Sequence, residues 1–263
     1  LLDRLISRLK HLGKLATDAG YREFHRLVTL PRKRPGTTHL LGPPLSFVDG
    51  RSCALQHLVI FQHGLYAMSS AAESPRILDV GANIGMATLY FKQSFPKARI
   101  SAFEPDPLIS EVLQKNLIAF GHRDVDVHRV AVSDHAGTMN FSPDNSDGGR
   151  FAADGEKVVS VVRMREWLDE PVDLLKIDIE GAEFDVIIDC RDRLKNVSRL
   201  FVEYHSFTSK PQRLPELLTI LRDAGFRLYV QTDFCAPSPM KDAFSDNEMD
   251  LRLNIFAVRP DSD

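Results

Sequence analysis

The sequence predicts an α/β domain whose sheet is mostly parallel and covered by helices on both faces. Three observations carry that expectation. Short apolar runs alternate with helical patterns from Ser74 onward, a glycine turn at Gly81–Gly85 joins the first run to a helix, and the second run ends on an acid, Glu104. At 263 residues the chain is long enough for one large domain plus an extension. A hydrophobic content of 43% and a charged content of 26% are those of an ordinary globular protein and exclude fibrous and low-complexity classes. Cys53, Cys190 and Cys235 form no C-x-x-C pair, so a disulfide scaffold is not expected and a reducing compartment is the default. No apolar stretch approaches about 18 residues and no secretion signal is evident, so the expectation is a soluble cytoplasmic protein.

Three parts follow one another: a basic helical extension over 1–36, a segment over 37–73 that caps the core, and the α/β domain over 74–263. The extension carries nine Lys or Arg against three Asp or Glu, and that +6 leaves −9 on the rest of a chain whose net charge is −3. Leu2, Leu5, Ile6, Leu9 and Leu12 recur at helical spacing among Arg4, Arg8, Lys10 and Lys14. Such a helix packs on the core with a solvated basic face, or rests on an anionic membrane surface or a protein partner. Pro31–Pro35 reads as a linker. Nucleic-acid binding is not expected, because no basic surface interleaved with aromatics continues beyond it.

In the cap segment, Leu45–Val48 resembles a strand running into a turn, and Gln56–Tyr66 covers the core. Ile77–Val80 and Arg99–Phe103 are the first two strands of the domain. Asp106 and Pro107 supply the cap and first turn of a helix over Leu108–Phe120, which Gly121 stops. A third strand is expected over Val125–Val132, and two extra strands at Gly137–Phe141 and Lys157–Val162 flank a polar loop, Ser142–Glu156. Val172–Ile179 is a fourth core strand followed by a helix over Gly181–Cys190. Arg199–Tyr204 is a fifth strand that ends near His205. A helix over Leu214–Ala224 precedes a final strand pair, Phe226–Gln231 and Leu251–Val258. The segment between that pair, Thr232–Asp250, holds Pro237, Pro239 and five acids and reads as a substrate-side lid.

The glycine turn constrains the ligand. A dinucleotide fingerprint wants G-x-G-x-x-G with free amides facing a pyrophosphate. Here the spacing is G-x-x-x-G, and Asp79, two residues before Gly81, would repel a pyrophosphate but suit the cationic end of S-adenosylmethionine. Glu104 can accept hydrogen bonds from both hydroxyls of a ribose.

The segments Ile77–Gly85 (I-L-D-V-G-A-N-I-G), Phe103–Pro107 (F-E-P-D-P), Ala131–Asp134 (A-V-S-D) and Lys176–Glu183 (K-I-D-I-E-G-A-E) together resemble the FkbM family of S-adenosylmethionine-dependent methyltransferases, over roughly residues 45–259. The resemblance implies a Rossmann-like class I methyltransferase fold, with seven strands of which the last is antiparallel. It also implies O-methylation of a small-molecule or glycan acceptor, on a sugar or a polyketide-like alcohol. By resemblance, Asp79, Gly81, Ala82, Asn83 and Gly85 hold the methionine end of the donor, Glu104 and the adjoining Pro105 the ribose side, and Ala131 and Val132 lie near the adenine.

At the reacting end, Lys176, Asp178 and Glu180 share one side of a strand by period two, unless the turn at Gly181 breaks it. One of the two carboxylates can act as general base, or Lys176 pairs with one while the rest position the donor. His205 is a further candidate base, because its unperturbed pKa near 6.5 leaves it mostly neutral. Asp178, Glu180, Glu203 and His205 could instead hold a divalent ion, but they lack a recognisable ligand spacing and no metal is assigned. Two other classes stay open: a nicotinamide-dependent oxidoreductase and a non-catalytic scaffold in a glycan assembly complex.

Overall fold

A computed structural model describes residues 18–142, 150–151, 157–241 and 248–259. The amphipathic pattern of Leu2–Leu12 therefore lies outside the described residues. Helix α1 (Ala19–Thr29) begins at Asp18, whose side chain accepts from the Tyr21 amide, and it buries Leu27 completely against the core. Strands β1 (Gly36–Thr38) and β2 (Leu45–Phe47) form an antiparallel pair, and α2 (Gly50–Gln56) runs on as a π-helical stretch, His57–Gln62. Pro31–Pro35 is not a free linker. Asp49, fully buried at its side chain, accepts from Arg32 Nε at 2.7 Å and from the Lys33 amide at 2.6 Å, while its other oxygen caps α2 through the Ser52 amide. The connection is pinned to the same carboxylate that starts the next helix.

The domain then alternates strand and helix as expected: β3 (Arg76–Val80), α3 (Met86–Ser94), β4 (Arg99–Phe103), α4 (Pro107–Ala119) and β5 (Asp126–His128). Asp106 caps α4 through the Leu108 amide. The third predicted strand is corrected here, because it splits between two sheets. Residues 126–128 pair with β4, whereas β6 (Ala131–Ser133) leaves to join β7 (Gly137–Ser142), β8 (Arg150–Phe151) and β9 (Lys157–Arg163) in a separate four-stranded sheet. Apart from β8 and Ser142, the predicted polar loop lies outside the described residues.

The chain returns to the centre with β10 (Val172–Ile177), α5 (Glu183–Cys190), β11 (Val197–Phe207), α6 (Leu214–Asp223), β12 (Arg227–Cys235) and β13 (Met249–Val258). The central sheet is ordered β12-β13-β11-β10-β3-β4-β5, with β13 antiparallel to both neighbours and the β11-β10-β3-β4-β5 run parallel. Seven strands with the last antiparallel is the expected topology. Neighbouring residues of β3 point to opposite cores, Ile77 into one with Phe91, Leu113 and Leu27, and Leu78 into the other with Leu175, Val186 and Leu217. Both strands of the final pair run further than expected, β12 at its C-terminal end and β13 at its N-terminal end. The predicted lid therefore shrinks, since Thr232–Cys235 and Met249–Asp250 are strand and 242–247 lie outside the described residues. No helix among the described residues is long and apolar enough to cross a membrane.

Candidate active site at the ends of the parallel strands

Open parallel sheets leave a crevice outside the carboxyl ends of their strands, and the predicted residues gather there in two groups. The first is the turn after β3. Gly81 has φ +81°, and a Cβ on it would come within 1.8 Å of the Asp178 carbonyl oxygen, so this position admits only glycine. Asn83 also takes a left-handed φ of 49°. Its Oδ1 accepts from the Ile84 amide at 2.6 Å.

Every amide of this turn is used within the protein. Gly81 N and Ala82 N both donate to Phe103 O at 3.1 and 2.9 Å, Asn83 N donates to Glu104 Oε2 at 3.0 Å, and Gly85 N donates to Ala82 O at 2.9 Å. A pyrophosphate cradle needs such amides free. None remains, and the turn instead presents Glu104. That carboxylate also accepts from the Asp106 amide at 2.9 Å, bridging the half-buried Pro105, and each of its oxygens keeps a second lone pair. Burial raises its pKa to about 7, the Asp106 and Asn83 amides opposing.

Asp79 does not face the crevice as expected. It is fully buried, its Oδ2 accepts from Thr88 Oγ1 at 2.6 Å, and its Oδ1 lies 3.3 Å from Lys176 Nζ. Asp79 and Lys176 are register partners on adjacent parallel strands, so both side chains stand on one face of the sheet. The cation that Asp79 meets is the protein's own. Lys176 also donates to Gly81 O at 2.6 Å and lies 3.4 Å from Asp178. Burial opposes its charge, but Asp79 and Asp178 outweigh that and raise its pKa.

Ala131 and Val132 are buried at 3% and 2% exposure, in the strand that left the central sheet. Their expected place at the end of the third sheet strand is corrected, since that end is His128, whose carbonyl accepts from the Glu104 amide at 3.0 Å.

The second group surrounds His205. β10 ends at Ile177, and Glu180 follows with φ 55°, which few residues other than glycine adopt. The period-two argument thus fails at the turn, yet the two carboxylates stay close. Asp178 and Glu180 keep 27% and 16% of their side chains exposed. His205 lies inside β11 rather than at its end, with its side chain wholly buried. Its Nδ1 meets Glu183 Oε1 at 2.9 Å, and its Nε2 lies 3.5 Å from both Glu180 Oε2 and Glu203 Oε1. Burial opposes its charge, but Glu180 and Glu183 prevail and hold its pKa well above the ordinary value. The expectation of a neutral histidine base is therefore corrected. Burial raises Glu180 to about 8, with His205 opposing, and burial and Glu203 also raise Asp178.

Glu183 and Arg252 were not among the predicted site residues. Glu183 sat in a recognised motif, but only the fold shows that it orients His205. Arg252 reaches Glu203 at 3.2 Å from β13, where it is the register partner of His205. No local spacing marks it.

A family model described as the methyltransferase FkbM domain matches residues 79–228. The chain is 32% identical over 158 residues to the 2-O-methyltransferase NoeI of Sinorhizobium fredii, covering 49% of this chain and 63% of that protein, which is less than two thirds of its length. It is 30% identical over 198 residues to the 31-O-demethyl-FK506 methyltransferase FkbM of Streptomyces tacrolimicus, covering 60% of this chain and 74% of the other. Among solved structures, an S-adenosylmethionine-dependent methyltransferase from Agrobacterium tumefaciens superposes with a TM-score of 0.52 at 11% identity, over 88% of this chain and 72% of that one. That likeness concerns the fold.

Proposed function

The chain belongs to the FkbM methyltransferase family, and from that premise we propose that it moves the methyl group of S-adenosylmethionine to a hydroxyl oxygen of a sugar or glycan precursor. A polyketide-like alcohol is the second acceptor class. The observation that carries the reading is the turn at Gly81–Gly85, whose amides are all internally bonded and which holds a buried carboxylate, Glu104, beside it at the end of β4. A site so made suits the hydroxyls of a ribose and rejects a pyrophosphate, so a nicotinamide cofactor is set aside, and the family assignment sets aside the scaffold alternative. Oxygen as acceptor is supported by the two relatives whose names specify O-methylation. A polyhydroxylated and uncharged acceptor is favoured by the acids about His205, which accept hydrogen bonds from hydroxyls and repel anions.

Glu180 is, in its ionised form, the group best placed to take the hydroxyl proton, and with its pKa raised to about 8 that form grows as pH rises through this value. Asp178 is held by Lys176, Glu183 by His205, and Glu203 by Arg252, whereas Glu180 meets only the edge of the imidazole at 3.5 Å. A positioned base typically contributes about 10²- to 10⁴-fold, and alignment of oxygen, methyl carbon and sulfur roughly 7 to 11 kcal/mol more.

Isothermal titration with S-adenosylhomocysteine tests the donor site. Binding at micromolar affinity or tighter is expected, weakened at least tenfold in Glu104→Ala, since a hydrogen bond to a charged group is worth about 1.5–3 kcal/mol. A folded wild-type protein that does not bind would overturn the reading.

A further inference from the structure

His205 is oriented more firmly than a charge-balancing histidine needs to be. Glu183, itself 1% exposed, accepts from the amides of Ile179 and Gly181 at 3.2 and 3.0 Å, so its carboxylate cannot swing away from Nδ1. Phe207 stacks beside the imidazole, with ring centroids 6.4 Å apart and planes 20° from parallel. The opposite nitrogen, Nε2, is buried, has no hydrogen-bond partner and points among carboxylates. A carboxylate on one ring nitrogen that fixes the tautomer, with the other nitrogen left free, is the arrangement that metal-binding histidines use.

The surroundings match. One ligand atom each from Asp178, Glu203 and His205 lie within 4.8 Å of one another. Around an octahedral ion with ligands at about 2.0–2.1 Å, ligand atoms stand about 3–4 Å apart, so a side-chain adjustment of about one ångström closes the site. Four carboxylates, Asp178, Glu180, Glu183 and Glu203, surround the ring. Among the described residues, the lysine and arginine side chains that meet them are Lys176 and Arg252, and each is shared with a further acid, Asp79 and Asp233 respectively. Without an ion these acids favour the protonated ring; an ion bound at Nε2 takes the place of that proton, and its positive charge is met by the same carboxylates.

We propose that Asp178, Glu203 and Nε2 of His205 form a binding site for one divalent cation of the manganese or magnesium kind, with its remaining positions open to water or acceptor oxygens. Two carboxylates and one imidazole are a mainly oxygen donor set, which suits such ions, and it is geometry and availability rather than raw affinity that select them over zinc or copper. The ion's role rests on the methyl-transfer reading. It takes the acceptor hydroxyl oxygen as a ligand and lowers its pKa, and the proton passes to Glu180. The oxygen then forms its bond to the methyl carbon as the carbon–sulfur bond breaks, its electron pair returning to the sulfonium sulfur.

The test is Mn2+ titration of the chelator-stripped chain, read by the paramagnetic resonance signal of free Mn2+, with S-adenosylhomocysteine calorimetry on the same samples. One Mn2+ per chain is expected, weakened at least tenfold in His205→Ala and in Asp178→Asn, and unchanged in His63→Ala, which is exposed and contributes no atom to the cluster. Asp178, 27% exposed, decides the question if the buried His205 variant fails to fold. Two results would overturn the site: a wild-type protein that binds S-adenosylhomocysteine but takes up no Mn2+, or uptake undiminished in the folded variants. Mn2+ uptake lost in the variants, alongside no binding of S-adenosylhomocysteine to wild type, would keep the ion site and remove the methyl-transfer reading instead.

Discussion

The turn after β3 and the cluster about His205 lie side by side on one edge of the sheet and are built in opposite ways. The turn is a backbone object, with amides from Gly81 to Gly85 closed on Phe103, Glu104, Asn83 and Ala82, and with the Gly81 Cα against the Asp178 carbonyl. The cluster is a side-chain object, in which acids from β11, α5 and the loop after β10 converge on one imidazole from β11. A backbone site has one shape, and any Cβ added to it disrupts fold and binding together. A side-chain site can be altered group by group while the scaffold stands. On the function proposed above, donor binding falls to the rigid part and acceptor chemistry to the adjustable part.

Gly81→Ala carries the largest expected effect. A clash at 1.8 Å with a backbone oxygen, at a φ that disfavours alanine, should cost more than about 3 kcal/mol and remove S-adenosylhomocysteine binding with it. Denaturant unfolding and calorimetry on the same preparation check this. A variant of wild-type stability that still binds would mean that the turn is not the rigid element described here.

Glu180→Gln should do the reverse. Turnover on a hydroxyl acceptor falls by about 10²- to 10⁴-fold, while affinity for S-adenosylhomocysteine stays within a few-fold of wild type. Loss of donor binding in this variant would merge the two regions into one.

Asn116→Ala probes what supports the turn from behind. The fully buried Asn116 accepts from Ser46 N at 2.7 Å and donates to Ser46 O and Ile84 O at 2.9 and 2.8 Å, tying β2 to the glycine turn through α4. Removing it orphans three backbone groups, and a destabilisation of about 2–3 kcal/mol is expected, measured as a lower denaturation midpoint.

The same contrast explains what could be read from the sequence. Asp79 through Glu104 form one strand, turn, helix and strand unit, and their spacing alone specified the turn, β3, α3 and β4. The cluster needed facts that spacing does not hold. Glu183 serves it because α5 begins at that residue, and Arg252 because β13 inserts between β11 and β12 in a fixed register with His205. The mixed run Val125–Val132 gave no sign of changing sheets, because both halves read as strand and no glycine or proline marks the break between them. Asp79 was misplaced for a similar reason. A carboxylate before a glycine turn is equally compatible with a cationic ligand and with a buried lysine, and only the register with Lys176 decides.

The smallest effect is the one that most directly separates binding from folding, because Glu104 drives the two in opposite directions with pH. Its pKa in the free protein, raised to about 7 by burial, lies above the ordinary carboxylate value. Its contribution to stability is therefore fully present below about pH 4.5 and is lost as pH rises through about 7, by up to about 1.4 kcal/mol per unit. Ribose hydroxyls donate to the ionised form, so donor affinity should instead climb with pH by up to about tenfold per unit and level off above about 7. Glu104→Gln carries no titrating group and should flatten the affinity slope and lessen the stability slope, to which Asp178 and Glu180, also raised by burial, still contribute. Calorimetry with S-adenosylhomocysteine between pH 5.5 and 8.5, beside thermal unfolding of the free protein, reads the pair. An affinity slope that survives in Glu104→Gln would assign the titration to the acids about His205, and would mean that donor binding reaches across from the turn into the cluster.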